Sequence, residues 1–415
     1  MKNVIVIVGA GPAGLMSAIA AAQNYPAAEV VVCEQLSRPG AKLLATGGGK
    51  CNLTNILPPD ELAKAFGRQW RFMLPALQLM PPQQLREWLM LRGIATVVSD
   101  GFHVFPESES ARDVLEALLA ECHRLKVNIR CQTVVSKILI EHNQICGVIA
   151  NNEKLSASRV IIATGGRSYP SLGATGSGYL LATQAGHQII KTFPALSGLQ
   201  TQEKWPCSCA GIAVENAAIT IDIPKYRREI WRGELLFTHH GISGPPIINA
   251  SRQVSALLEK YPLIPLKINL IADYDLERWL KIFDKWQRDH GVRMVKNLLA
   301  EMFPARLAEQ LSFISGNENY IAARFPAAAR RKLAMHLTAL PLNIKSAEPW
   351  DKAMITRGGV ALKSVDAVTL ESRIVPGLHF AGEVLDLDGP CGGYNLQWAF
   401  SSGYLAGNLS NNLPT

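Results

Sequence analysis

Val4-Ile5-Val6-Ile7-Val8-Gly9-Ala10-Gly11-Pro12-Ala13-Gly14 stands almost at the start of the chain. Five β-branched residues in succession predict a strand buried on both faces, as in a parallel sheet. A G-x-G-x-x-G turn follows directly, and the alanine-rich stretch to about Asn24 predicts a helix. In such a turn the first glycine bends the chain, the second lets backbone approach a pyrophosphate, and the third lets helix pack closely on strand. The helix N-terminus adds free N–H groups and partial positive charge. A second apolar run, Val30-Val31-Val32-Cys33, ends at Glu34, twenty positions past Gly14, where a carboxylate can accept hydrogen bonds from ribose hydroxyls. Strand, helix and acid together predict one βαβ dinucleotide-binding unit.

Two later stretches repeat this chemistry. Ile161-Ile162-Ala163-Thr164-Gly165-Gly166 predicts a buried strand ending in a glycine turn, which beside the first motif resembles the second glycine signature of two-dinucleotide-binding flavoproteins, where backbone passes close to the cofactor. Gly377-Leu378-His379-Phe380-Ala381-Gly382-Glu383 predicts a strand leading into Gly-acid, with a carboxylate able to accept ribityl O–H donors. Gly392-Gly393-Tyr394-Asn395 then opens a last helix with an apolar stripe of Leu396, Ala399, Phe400 and Leu405. That helix N-terminus suits the negative charge of a reduced flavin ring.

Strands are expected at Val127–Cys131, Val134–Ile140, Ile145–Ile149 and Val160–Ala163, with a hairpin around Asp100-Gly101 and a helix near Ala111–Leu125. Short strands and turns occupy roughly 190–270, and an amphipathic helical block about 275–340. These middle pieces separate two regions of one kind of glycine chemistry, so they read as an insertion. The expected fold is α/β: a Rossmann-like dinucleotide-binding domain of discontinuous sequence, residues 1–190 and 346–415, with an inserted β-rich and helical substrate-side domain, residues 191–345.

Composition agrees with an α/β enzyme. Charged residues are 18%, below the roughly 25% usual for soluble domains, and 33 glycines suit loop-built sites. The net charge of +8 favours anionic ligands without a basic arm; Lys225-Tyr226-Arg227-Arg228 and Arg330-Arg331-Lys332 read as solvated surface, and no nucleic-acid partner is expected. Eight scattered cysteines show no CxxC pair and no zinc-ligand spacing, so neither a disulfide framework nor a metal is expected. No signal-peptide cleavage site or membrane-length apolar run is read, and the expected location is the reducing cytoplasm. The stripe Leu276, Trp279, Leu280, Phe283, Trp286 has helical spacing and is expected inside the insert.

Three longer stretches carry a family resemblance: Ala45-Thr46-Gly47-Gly48-Gly49-Lys50-Cys51-Asn52-Leu53-Thr54-Asn55, the run Gly233 to Pro245, and the run Ala381 to Gln397. With the glycine motifs they resemble the bacterial flavoprotein family of NAD(P)/FAD-dependent oxidoreductases, which includes aminoacetone oxidases and a flavin reductase assigned to bile-acid dehydroxylation. The resemblance runs from the first strand to the last helix and implies a Rossmann-like FAD-binding domain with an inserted β-barrel-like and helical portion, FAD as cofactor, and NAD(P)H as a transient electron donor. The cofactor-binding set expected from the motifs and the resemblance is Gly9, Gly11, Pro12, Ala13, Gly14, Glu34, Gln35, Lys42, Gly47, Gly48, Gly49, Cys51, Asn52, Val134, Ala163, Thr164, Gly165, Gly166, Gly382, Glu383, Gly393, Asn395 and Leu396. His239 and Tyr394 are the candidate catalytic side chains, while Cys207 and Cys209 read as ordinary thiols. No second strand–GxGxxG–helix unit with its own acid is found. Three readings stay open: NAD(P)H-linked reduction of a small organic substrate, oxidation of an amine by oxygen, and a flavin-bearing RNA-binding or regulatory role.

Overall fold

The opening strand forms over Val4–Val8 and pairs in parallel with Glu29–Cys33 on one side and Arg159–Ile162 on the other. Leu378–Phe380 and Asn128–Arg130 complete a five-stranded parallel sheet in the order Leu378–Phe380, Arg159–Ile162, Val4–Val8, Glu29–Cys33, Asn128–Arg130. The two ends of the chain therefore lie in one sheet. Its central residues, Ile5, Val6, Ile7, Val31, Val32, Val160, Ile161 and Ile162, are fully buried, which is why these strands lack polar alternation. These features belong to a computed structural model that describes residues 3–408. By its contacts the chain divides into a unit of Met1–Phe193 with Ile355–Thr415 and a unit of Pro194–Met354.

Inside the first unit, helix Pro12–Asn24 packs on the last helix, Tyr394–Gly407. The approach is backbone to backbone: a Cβ on Gly403 would lie 2.3 Å from the Ala13 carbonyl oxygen, and one on Gly407 would lie 2.2 Å from that of Ser17. The last helix was expected to bury one stripe, but Gln397, Trp398, Ser401 and Ser402 are buried as well. Each of these side chains has a hydrogen bond, although Gln397 Oε1 itself has none. Gln397 Nε2 and Ser401 Oγ both donate to the Met80 carbonyl, at 2.9 and 2.7 Å, and Ser402 Oγ accepts the Gly382 N–H at 2.9 Å.

The expected hairpin forms from Thr96–Ser99 and His103–Pro106, joined on its far edge by Thr54–Asn55. Three helices, Pro59–Lys64, Trp70–Leu79 and Pro82–Met90, lie between Asn55 and this hairpin.

The second unit holds a closed antiparallel barrel of six strands, in the order Leu199–Thr201, Gly241–Ser243, Trp231–Thr238, Ala213–Ile221, Ile264–Asn269, Leu340–Ala347. Closure removes the exposed edges a short sheet would carry. Its helices include Leu276–Asp289, where Trp279, Phe283 and Trp286 are buried and Leu276 and Leu280 pack against the same core, as the spacing implied. Among the described residues no helix is long and apolar enough to cross a membrane.

Candidate cofactor site

The three glycine motifs meet in space, all within the first unit. A Cβ on Gly9 would sit 2.7 Å from the Ala163 carbonyl oxygen, one on Gly166 would sit 2.7 Å from Glu383 Oε1, and one on Gly382 would sit 2.8 Å from the Ala13 Cβ. Each motif thus presses on the next with no room for a side chain. Gly14 is the tightest, its Cβ position being 1.9 Å from the Gly9 carbonyl oxygen. Gly11 differs. Nothing lies within 4 Å of its Cβ position, although it immediately precedes the helix at Pro12. Gly9 and Gly14 therefore serve packing, while Gly11 borders open space beside the helix N-terminus, where a pyrophosphate would be held.

Glu34 is buried, and its carboxylate accepts two backbone N–H groups, from Ala10 at 2.8 Å and Leu36 at 2.8 Å. A carboxylate has about four acceptor sites, so two remain for the paired hydroxyls of a ribose. Gln35 Nε2 donates to the Gly173 carbonyl and closes the loop beside it.

Glu383 is held differently. Oε2 accepts from Lys42 Nζ at 2.7 Å, and Oε1 accepts from Ser168 Oγ at 3.0 Å and the Thr356 N–H at 2.8 Å. Lys42 Nζ also donates to Ser168 Oγ at 2.7 Å, and Thr356 Oγ1 accepts the Arg167 N–H at 2.7 Å. One acceptor site on Glu383 remains for a ribityl hydroxyl. Ser168 and Thr356 were missed in the sequence. For Thr356 the usable signal was the glycine pair Gly358-Gly359 after a β-branched start, since both have positive φ and both lie against neighbouring backbone.

The Gly47-Gly48-Gly49 run has φ of 57, 65 and 94°, and the Cβ positions of Gly48 and Gly49 face open space. Asn52 beside it has a buried Oδ1 with no hydrogen-bond partner, an acceptor suited to a ligand donor. Thr164 and Gly165 follow the buried Ala163 at the end of its strand, and Gly393 caps the last helix with φ 80°.

Other expected residues offer less. Val134 has its N–H and C=O paired with Asn151 at 2.9 and 3.0 Å, so only its exposed side chain is available to a ligand. The Asn395 amide is committed to the Gly389 and Pro390 backbone, leaving its helix N–H, and Leu396 is buried against the core. Cys51 is fully buried, and burial pushes its thiol up to about 12. Tyr394 begins the last helix beside Phe66 and Phe102, and burial raises its phenol. His239 lies on the turn between Trp231–Thr238 and Gly241–Ser243 in the second unit. Among the described residues no disulfide forms, at Cys207 and Cys209 or elsewhere, and no group of metal-binding side chains occurs.

Open space beside Gly11 at a helix N-terminus, a buried acid with acceptor sites to spare and a second acid at a further glycine motif fit FAD. Residues 3–409 match the HI0933-like protein Rossmann domain family. The chain belongs to that family. Within it, the chain is 32% identical to the 3-dehydro-bile acid delta(4,6)-reductase of Clostridium scindens, over 99% of this chain and 100% of that protein. It is 30% identical to the ribosomal RNA dihydrouridine synthase of Escherichia coli K12, over 96% of each. Among solved structures, a flavocytochrome c3 fumarate reductase in its open conformation shares the fold with a TM-score of 0.51 and 18% identity, over 98% of this chain and 78% of that one. This HI0933-like protein is an FAD-dependent oxidoreductase.

Proposed function

We propose that this flavoenzyme uses NAD(P)H to saturate a carbon–carbon double bond conjugated to a carbonyl in a small organic substrate, working in the reducing cytoplasm. The observation that carries the reading is that both relatives match over nearly their whole length, and their names describe one bond change on two scaffolds. A 3-oxo bile acid Δ4,6-reductase and a dihydrouridine synthase each reduce an alkene activated by a carbonyl. Eight cysteines with no disulfide among the described residues suit a reducing compartment.

Bound FAD supplies the hydride relay; the chain binds, orients and polarises. Gly11 and the N-terminus of Pro12–Asn24 would take the pyrophosphate, Glu34 the adenosine ribose, and Glu383 with Lys42 the ribityl side. The N-terminus of Tyr394–Gly407 would offset negative charge on the reduced ring. With one dinucleotide motif in the sequence, the nicotinamide visits and leaves.

Anaerobic flavin absorbance tests this. NADH or NADPH should bleach the flavin, and 2-cyclohexen-1-one or a 3-oxo-Δ4 steroid should restore its colour. Bleaching by aminoacetone and not by a nicotinamide would replace the reading with amine oxidation. Colour restored by ribosomal RNA alone would make the substrate a nucleic acid.

A further inference from the structure

We propose that His103 gives the substrate its proton and that Asp100 is the positioning residue that sets its tautomer. The inference rests on the alkene reduction proposed above. His103 follows the Asp100-Gly101 turn, whose φ values of 50 and 71° fold the hairpin tightly back. Asp100 Oδ1 accepts the His103 backbone N–H at 3.1 Å, and the carboxylate meets ring Nδ1 at 3.0 and 2.8 Å. An acceptor-only group there requires Nδ1 to carry hydrogen, and Nε2 is the nitrogen left for chemistry.

Nε2 points at the candidate cofactor site. A Cβ on Gly392 would lie 3.1 Å from it, so the ring packs on the turn that opens the last helix. That turn is pinned to the same small sheet: Asn55 pairs with His103 across the strands, and its Nδ2 donates to the Gly392 carbonyl at 3.0 Å. Two residues along, on the same face, Phe105 lies 3.4 Å from the Cβ position of Gly47. One strand face therefore touches both glycine segments assigned to the cofactor, with His103 between them. Phe102 stands edge-on to the imidazole at 5.0 Å, and Tyr394 lies beyond it at 6.2 Å, giving an aromatic wall for a flat substrate. The His103 side chain is 31% exposed and Asp100 59%, so solvent can return the proton. His239 has no carboxylate bonded to it among the described residues.

FAD held at the site would supply to the β carbon a hydride originating from NAD(P)H, whose C–H bond is the one broken, and His103 supplies the proton. The Nε2–H bond of the imidazolium breaks as a C–H bond forms at the α carbon, and the electron pair stays on Nε2. The neutral ring keeps its Nδ1–H on Asp100, and one solvent proton restores Nε2–H. The net change is alkene plus NAD(P)H plus a proton to alkane plus NAD(P)⁺.

The test uses FAD-loaded H103Q, D100N, Y394F and H239Q, with circular dichroism for folding. In H103Q, FAD retention and bleaching by NAD(P)H should match wild type, while reoxidation by the enone slows about 10²–10⁴-fold, the usual contribution of a general acid. H103N, shorter by one methylene, gives the same test if H103Q misfolds. In ¹⁵N-histidine NMR of the unreduced protein, wild-type His103 should show Nδ1 protonated. D100N should redistribute the tautomers, which a hairpin staple alone does not require. Wild-type reoxidation in H103Q, a loss seen only in Y394F or H239Q, or an Nε2-protonated neutral His103 would each overturn the inference with the alkene reading intact. A wild-type enzyme that no enone reoxidises would sink both.

Discussion

Two carboxylates, Glu34 and Glu383, occupy equivalent places at the ends of parallel strands, yet the chain holds them by different means. Glu34 is gripped by backbone alone, from Ala10 and Leu36, both within the opening βαβ unit. Glu383 is gripped by Lys42, Ser168 and Thr356, residues from three separate stretches. The first acid is preset by local chain geometry and needs no counter-charge. The second depends on a half-buried cation and on the whole first unit being assembled. The adenosine half of the site should therefore be rigid and tolerant of surface change, and the flavin half should respond to substitutions far away in sequence.

The largest effects come from the glycines that bring the two acids together. Gly14→Val should yield no folded protein, since its Cβ position already lies 1.9 Å from a backbone oxygen. Gly11→Val should fold, by circular dichroism, and emerge colourless, because its side chain would enter space that only a pyrophosphate would claim. A yellow, folded Gly11→Val variant would break the placing of the adenosine half.

Next come the acids themselves. Glu383→Ala and Glu34→Ala should each weaken FAD binding about ten- to a hundredfold, the effect of losing a charge-assisted hydrogen bond of ~1.5–3 kcal/mol. Flavin fluorescence quenching separates them: only Glu383→Ala should impair the weak binding of FMN or riboflavin. Equal losses with FMN would erase the distinction between the halves.

A smaller effect sharpens the comparison. In a double-mutant cycle on FAD affinity, Lys42→Met and Glu383→Gln should couple by about 1 kcal/mol, whereas Lys42→Met and Glu34→Gln should add within ~0.5 kcal/mol. Coupling to Glu34 of the same size would mean that the two acids share one network.

The smallest effect is on pH. Burial pushes His187 down to about 4 and His379 down to about 3, from the usual 6.5. His187 bridges Ser364 and Ser372 and meets Phe380 edge-on, so both rings underlie the strand leading to Glu383. Their folded pKa values lie below the unfolded one, so the unfolded chain binds more protons in acid. Stability is fully present above pH 6.5 and falls as pH drops toward 4. The melting temperature should decline by a few degrees between pH 7 and 5, with amides of Leu378–Phe380 exchanging ahead of those of Glu29–Cys33. Uniform exchange along the sheet would show that acid does not single out the Glu383 side.

Much of the fold was legible because its signals are local. Val4–Val8, Glu29–Cys33 and Arg159–Ile162 announce themselves by β-branched runs, and the Gly9–Gly14 turn by a spacing that backbone geometry dictates. The barrel strands were readable only as short strands and turns, because their closure, Leu199 against Ala347, joins residues nearly 150 positions apart. The last helix misled in one respect. A stripe read from apolar residues cannot show that Gly403 and Gly407 meet the backbone of Pro12–Asn24 while Gln397 and Ser401 are buried at the Met80 carbonyl that ends Trp70–Leu79.

By itself the sequence determined that a glycine turn of dinucleotide-binding type follows the first strand, that an acid waits twenty residues later, and that a Gly-acid pair near the other end belongs to the same fold. Those properties follow from glycine's missing side chain and from strand burial, which act over a few residues. Only the tertiary structure decided that Lys42, Ser168 and Thr356 converge on Glu383, and that His103, carried on the hairpin around Asp100-Gly101, lies against Gly392. Such pairings carry no periodicity and no fixed spacing; they arise when the parallel sheet brings distant strand ends to one edge.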